Sequence, residues 1–212
     1  MKFYYGADQL VVKPLFNYGN PSNDYGLGFY LTPSKELARL WATKFPEGGY
    51  LIEYDVDVEK LKVCQLSTIE DNDVLTWLSL LISHRFLNSK RNINEQYINW
   101  ITKNYPFDLG DYDAIIGYRA DDSYFTYSYD FVKNELSLEL LKEAMRIGKL
   151  GLQFVLMSEN AFKHIKYVKS EKIEHTDEYR DFQIKTRDEY FRLKQEDDIN
   201  NTFLRDLMRR KK

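Results

Sequence analysis

The chain has 212 residues, enough for one domain with a genuine core plus an appendage. A formal net charge of only −3 excludes a global field that would draw the chain to phosphate backbones. Hydrophobic residues at 43% and charged residues at 30% exclude global disorder, and no apolar run is long enough to span a bilayer.

The single cysteine, Cys64, cannot form an internal disulfide, which suits a reducing compartment. The opening Met-Lys-Phe-Tyr-Tyr lacks the apolar core of a signal peptide, so the expected location is the cytoplasm. Aromatics reach 16%, with 17 Tyr and 13 Phe, which fits either a Tyr-rich core or a cavity that grips planar ligands.

Residues 2–5 read as a short strand, followed by a long irregular stretch over 6–26 that carries Pro14, Gly19, Pro21 and several Asn and Asp residues. A loop of that length inside a domain is usually functional. A strand at 29–31 leads into a helix, with Thr32 as its cap, Pro33 at the first helical position, and Leu37, Leu40, Trp41 and Phe45 at helical spacing. Residues 50–56 alternate as a strand, with Tyr50, Ile52, Tyr54 and Val56 on one face. Amphipathic helices follow over 72–88 and through Ile93, Tyr97, Ile98 and Ile101, the second ending before Pro106. Residues 113–117 form a short buried strand; 137–147 form a helix capped by Ser137 and stopped by Gly148. An apolar strand at 152–157, a helical turn and a strand at 165–173 complete the pattern. From Asp177 the sequence is heavily charged, without Gly or Pro, and reads as one long helix or a partly disordered arm. Strands and helices without a regular βαβ rhythm define an α+β fold, and no internal repeat is visible.

Three separated segments carry possible chemistry: Phe3-Tyr4-Tyr5-Gly6-Ala7; Asp24-Tyr25-Gly26-Leu27-Gly28-Phe29-Tyr30-Leu31-Thr32 with the helix bearing Trp41; and Gln153-Phe154-Val155-Leu156 followed by Ser158-Glu159-Asn160-Ala161-Phe162. Each alone is ordinary: the glycines are no dinucleotide fingerprint, and a Trp on an apolar helix face more often belongs to the core. Together they resemble the ADP-ribosyltransferase superfamily, most closely its poly-ADP-ribose polymerase-like branch and, within it, an uncharacterised bacterial clade often encoded beside small partner proteins. Tyr5-Gly6-Ala7 falls on that branch's first motif, Gly28-Phe29-Tyr30-Leu31-Thr32 on its second, Trp41 on its second aromatic and Gln153 on its third. Ala38-Arg39-Leu40-Trp41-Ala42 and Tyr112-Asp113-Ala114-Ile115-Ile116-Gly117 add to the match, which covers about residues 1–170.

The resemblance implies a split antiparallel β-sheet with flanking helices over residues 1–176 and a charged helical C-terminal extension over 177–212. It implies NAD as co-substrate, with Gly6, Tyr30 and Trp41 binding it and Tyr5, Tyr30 and Gln153 as the catalytic set. In that arrangement the two rings of Tyr30 and Trp41 sandwich the nicotinamide, Gly6 pairs with its carboxamide through backbone groups, and Gln153 meets the ribose hydroxyls. The implied activity is mono-ADP-ribosyl transfer, in a bacterial toxin of a toxin–antitoxin or anti-phage system. The acceptor would be a protein sooner than a nucleic acid, and the partner a small antitoxin. An NAD glycohydrolase and a non-catalytic NAD- or partner-binding module are the alternatives.

The pattern is degenerate. Tyr5 stands where the family usually has His, Ala38 stands near a Ser that holds the carboxamide, and Gln153 stands where the family often has Glu. Asp121, Asp122 or Glu159 could restore the missing charge, although the two aspartates serve equally as caps of a helix starting near Ser123. His84, His164 and His175 share no metal-ligand spacing with one another or with Cys64, so no metal is expected. His84 and Arg85 read first as a helix-end pair and second as a grip for NAD phosphates. Asn23 and Asp24 read as turn formers before substrate contacts, and the basic cluster at 205–212 as a solvated helix end or partner contact.

Overall fold

A computed structural model describes residues 1–86, 94–120, 122–147 and 151–210. The strands are β1 (Lys2–Ala7), β2 (Phe29–Leu31), β3 (Gly49–Val56), β4 (Val63–Leu66), β5 (Ala114–Tyr118), β6 (Leu152–Leu156) and β7 (Ile165–Ile173). The helices are α1 (Lys35–Thr43), α2 (Asp71–Leu81), α3 (Glu95–Asn104), α4 (Asp122–Val132), α5 (Leu138–Ile147), α6 (Glu159–Lys163), α7 (Glu178–Gln195) and α8 (Leu204–Arg210). They build an α+β fold on two sheets, one in the order β1-β3-β7 and the other β2-β6-β5-β4. Every pairing is antiparallel except β4 with β5, which the crossover through α2 and α3 makes parallel. Among the described residues no helix is long and apolar enough to cross a membrane.

The two sheets press their apolar faces together. Phe3, Ile52, Tyr54 and Val56 of the first meet Phe29, Phe154 and Leu156 of the second, with the Phe3 and Phe154 rings stacked at 4.3 Å. The second sheet's other face carries the larger core, where Cys64, Ile115 and Val155 pack under α2, α4 and α5 through Trp77, Leu78, Phe131 and Leu141. Burial raises the Cys64 thiol to about 11, so it behaves as a small hydrophobe. Helix α1 covers the first sheet's outer face through Ala38 and Ala42 against Leu51 and Ile173. With both faces covered, β3 buries Leu51 and Glu53 as well as its alternating apolar set. Glu53 is matched by the Lys2 ammonium at 2.7 Å, and Lys2 first, then Lys169, holds its carboxyl below the usual range.

The segment after Asp177 folds back onto this body as two helices, α7 and α8. Tyr190, Leu193 and Leu204 enter the larger core, Tyr190 donates its hydroxyl to Asp130, and the Lys194 ammonium lies 2.5 Å from the same carboxylate. Asp197 accepts from the Ser137 backbone N–H at 2.8 Å, fastening the extension to the start of α5. Ser137 caps α5 as its spacing predicts, its Oγ accepting from Leu140 N at 3.1 Å.

Helix α1 starts later than the sequence pattern suggests. Thr32 is held by a backbone bridge to Tyr4, so it stays extended and cannot cap. Ser34 caps instead, its Oγ accepting from Leu37 N at 3.2 Å, while Thr32 Oγ1 accepts from Ser34 N. The 72–88 helix converts to a π-helical turn at Ile82–Phe86. The end of that helix, the Ile93 anchor and the Gly148 stop lie outside the described residues.

Candidate functional site

The site begins where the two sheets part. Tyr4 and Thr32 exchange both backbone hydrogen bonds, at 2.8 and 2.9 Å, and form the one bridge between β1 and β2. Met1 and Val56 exchange theirs across β1 and β3, which turns the backbone groups of Phe3, Tyr5 and Ala7 toward β3 by alternation. Those of Tyr4 and Gly6 therefore face the other way. Tyr4 uses its pair on Thr32; beyond that point β2 diverges, and the N–H and C=O of Gly6 face the gap.

A cleft of about 480 Å³ occupies that gap. Tyr5, Gly6, Tyr30, Trp41 and Gln153, separated by up to 148 positions in the chain, all line it. Gly6 is glycine for a packing reason: a Cβ there would lie 2.1 Å from the Ala38 carbonyl oxygen of α1. That contact also defines Ala38, which is fully buried beneath β1 and does not line the cleft.

Tyr30 presents its ring rather than its hydroxyl. The hydroxyl donates to Gly26 O at 2.7 Å and accepts from Tyr25 N at 3.0 Å, so its one proton is already used in holding the 8–28 loop. Burial, then the Asp24 charge, pushes its pKa far above the ordinary phenol value. Tyr5 packs its ring 4.9 Å from Phe29, and its hydroxyl has no hydrogen-bond partner among the described residues. Burial first and Asp8 second raise its pKa above the ordinary phenol value. Trp41 and Tyr30 make no ring contact with each other. The Arg119 guanidinium lies over the Trp41 ring instead, 3.7 Å from its centre, and the buried Trp41 Nε1 has no hydrogen-bond partner among the described residues.

Gln153 is 4% exposed, near the start of β6 opposite Gly117. Its amide nitrogen donates to Asp24 Oδ2 at 2.9 Å and to Tyr118 O at 3.4 Å. Asp24, 7% exposed, also accepts from Ala120 N at 2.8 Å and from Arg85 Nη1 at 2.8 Å, and Arg85 donates in addition to Ala120 O. A loop residue that reads as a turn former is thus the buried carboxylate of the cleft, and Arg85 is its counter-ion rather than a helix-end cation. The hint in the sequence was the length of the loop before Gly26; the partner sits 61 positions away, where no local pattern reaches. Neighbouring His84 packs against Gly26, whose φ of +76° no L side chain adopts comfortably, and burial lowers the imidazole's pKa.

Glu159 does not supply charge here. It sits on α6, 71% exposed and paired with Lys163, and borders a different depression. Asp121 and the side chain of Asp122 lie outside the described residues. The cleft's outer rim includes Phe45, Lys44 and, from α7, Tyr179, with the Lys44 ammonium 5.0 Å and 5.5 Å from the two ring centres. Among the described residues no three His, Cys, Asp or Glu gather into a metal-binding group.

Fold and site together define an α+β protein with a polar, aromatic-walled cleft where two packed sheets split. The chain belongs to the DUF3990 family, described as a protein of unknown function, whose model matches residues 1–167. No curated protein and no solved structure matches the chain significantly.

Proposed function

We propose that the cleft binds NAD and that the chain is a mono-ADP-ribosyltransferase of the ADP-ribosyltransferase type. The observation that carries this reading is convergence: the five positions of the degenerate motif line one cleft, in a chamber of a size suited to a dinucleotide. The free backbone pair of Gly6 suits a carboxamide, which offers one donor and one acceptor in a plane. The Trp41 face already holds a flat cation, the Arg119 guanidinium, and a positively charged nicotinamide has the same shape and charge. The unpartnered Trp41 N–H offers a further donor, whose isolation costs about 1–3 kcal/mol until an acceptor meets it.

In the reaction the bond between the nicotinamide nitrogen and ribose C1′ breaks. Its electron pair returns to the ring, and neutral nicotinamide leaves. The acceptor attacks the cationic ribose carbon and gives its proton to water. Such a path needs a flat grip on the leaving ring and electron-rich atoms near the developing cation. Gln153 Oε1 and the Tyr5 hydroxyl are the groups at hand.

The neutral Gln153 and the ion pairing of Asp24 favour one second reading, a site that binds NAD and turns it over slowly, with water as acceptor or with none. The experiment is incubation of the chain with adenylate-labelled NAD, with and without cell lysate. Label on macromolecules supports transfer, and free ADP-ribose supports the glycohydrolase. Binding without either supports the non-catalytic module, and absence of binding refutes the proposal. A toxin of a toxin–antitoxin or anti-phage pair is the biological setting this chemistry suits; growth arrest on expression, lost in a Trp41→Ala variant, tests it.

A further inference from the structure

We infer that Asp24 is the charge-bearing positioning residue of the cleft, and that glutamine at position 153 answers Asp24 rather than marking the loss of a catalytic glutamate. This inference rests on the reading of the cleft as an NAD site. Both side chains are buried, and the Gln153 amide nitrogen, which carries two N–H groups, lies 2.9 Å from Asp24 Oδ2 and 3.4 Å from Tyr118 O. A planar amide with both N–H groups turned to one side must turn its oxygen to the other. Gln153 Oε1 has no partner among the described residues and is the acceptor left for ribose hydroxyls. Asp24 in turn is fixed from two further sides, by Ala120 N and Arg85 Nη1, both at 2.8 Å, so it cannot swing away.

A glutamate at 153 would place a carboxylate oxygen where the amide nitrogen now stands. It would face Asp24 Oδ2 and the Tyr118 carbonyl oxygen, two acceptors with no proton between them and the new oxygen. Two carboxylates at that separation cannot both stay ionised without large cost. The neutral amide therefore conveys Asp24's negative charge toward the ligand by polarisation of its own dipole, and the pair acts as one unit.

The test is a double-mutant cycle with Gln153→Glu, Asp24→Asn and the two combined, reading NAD affinity by calorimetry and thermal midpoint on the same full-length proteins. Restoring a carboxylate through Gln153→Glu weakens NAD binding by about ten-fold or more. The combined variant binds more tightly than Gln153→Glu alone, because an amide at position 24 can donate to the new carboxylate. Tighter binding by Gln153→Glu, or effects that simply add, would overturn the inference. If Gln153→Glu does not fold, a folded combined variant supports the coupling and an unfolded one overturns it. A purely structural Asp24 would lower the midpoint of Asp24→Asn while leaving the affinity of its folded fraction unchanged. Failure of the wild type to bind NAD would refute the site reading instead, and the four midpoints would still decide the coupling.

Discussion

Arg119 gives the sharpest handle on the cleft because two roles for it predict opposite signs. Its guanidinium covers the Trp41 face at 3.7 Å, and no carboxylate pairs with it among the described residues. A nicotinamide ring that stacks on Trp41 must displace it, and a cation on an aromatic face is worth about 0.5–2 kcal/mol. Arg119→Ala removes that competitor, so N-methylnicotinamide, a flat cation without phosphates, should bind about two- to thirty-fold more tightly. Once displaced, the same guanidinium is free for the pyrophosphate, and charge-assisted hydrogen bonds contribute about 1.5–3 kcal/mol. ADP-ribose, which has phosphates and no nicotinamide, should therefore bind Arg119→Ala about ten-fold or more weakly. Calorimetry with the two ligands measures both. Equal weakening toward both would show that Arg119 only shapes the wall, and no change in either would remove it from the site.

Three further outcomes follow from named contacts. Gly6→Ala places a Cβ 2.1 Å from the Ala38 carbonyl, so β1 and α1 must separate, and stability should fall by about 1–3 kcal/mol in chemical denaturation; an unchanged midpoint would mean the contact is absent. Tyr179→Ala should weaken NAD binding several-fold while leaving the thermal midpoint nearly unchanged, since its ring borders the cleft but does not enter the core; unchanged affinity would separate the C-terminal extension from the site. Burial lowers the His84 pKa below the ordinary histidine value of 6.5, so folding favours the neutral form. The stability it contributes is complete above pH 6.5 and is lost as pH falls through the lowered value. A His84→Gln variant should lose less of its thermal midpoint than the wild type between pH 7 and pH 5.

The α+β class and most elements were legible because local patterns suffice for them. The strand at 29–31 and that at 165–173 have the predicted bounds, since apolar alternation and flanking turn formers act within a few residues. The short edge strand β4 escaped notice because four residues that include Gln65 show little alternation. Thr32 looks like a cap until its backbone is seen bonded to Tyr4, a tertiary contact that overrides the local preference for starting a helix. Gly6 was read for ligand approach, yet helix packing explains its missing side chain, while its backbone still faces the gap. Asp24 was legible only as a turn former ahead of a substrate contact. A carboxylate next to Tyr25-Gly26 has the chemistry of a turn, and only the fold brings Arg85, Ala120 and Gln153 around it. The charged tail likewise hid its docking, because Tyr190, Leu193 and Leu204 are sparse among solvated residues yet share one face of the larger core.

Charge separates what the cleft can hold from what it can accelerate. Among the described residues Lys44, Arg85 and Arg119 line it against Asp8 and Asp24, one more cation than anion, in a chain whose formal charge is −3. That local reversal favours a pyrophosphate. It opposes the proposed reaction, in which the ribose carbon would gain positive charge as nicotinamide departs, and Arg85 already offsets Asp24 at 2.8 Å. The amide dipole of Gln153 is then the main counterweight, and a dipole does less than a full charge; loss of one preorganised electrostatic group costs about 10²–10³ in rate. Binding should accordingly be far more developed than turnover. In a rapid-mixing experiment with excess enzyme, NAD should quench or shift the cleft's tryptophan signal in a fast phase, with nicotinamide released at least a hundred-fold more slowly. Release as fast as binding would mean that a carboxylate outside this network faces the ribose, and the electrostatic argument would fail.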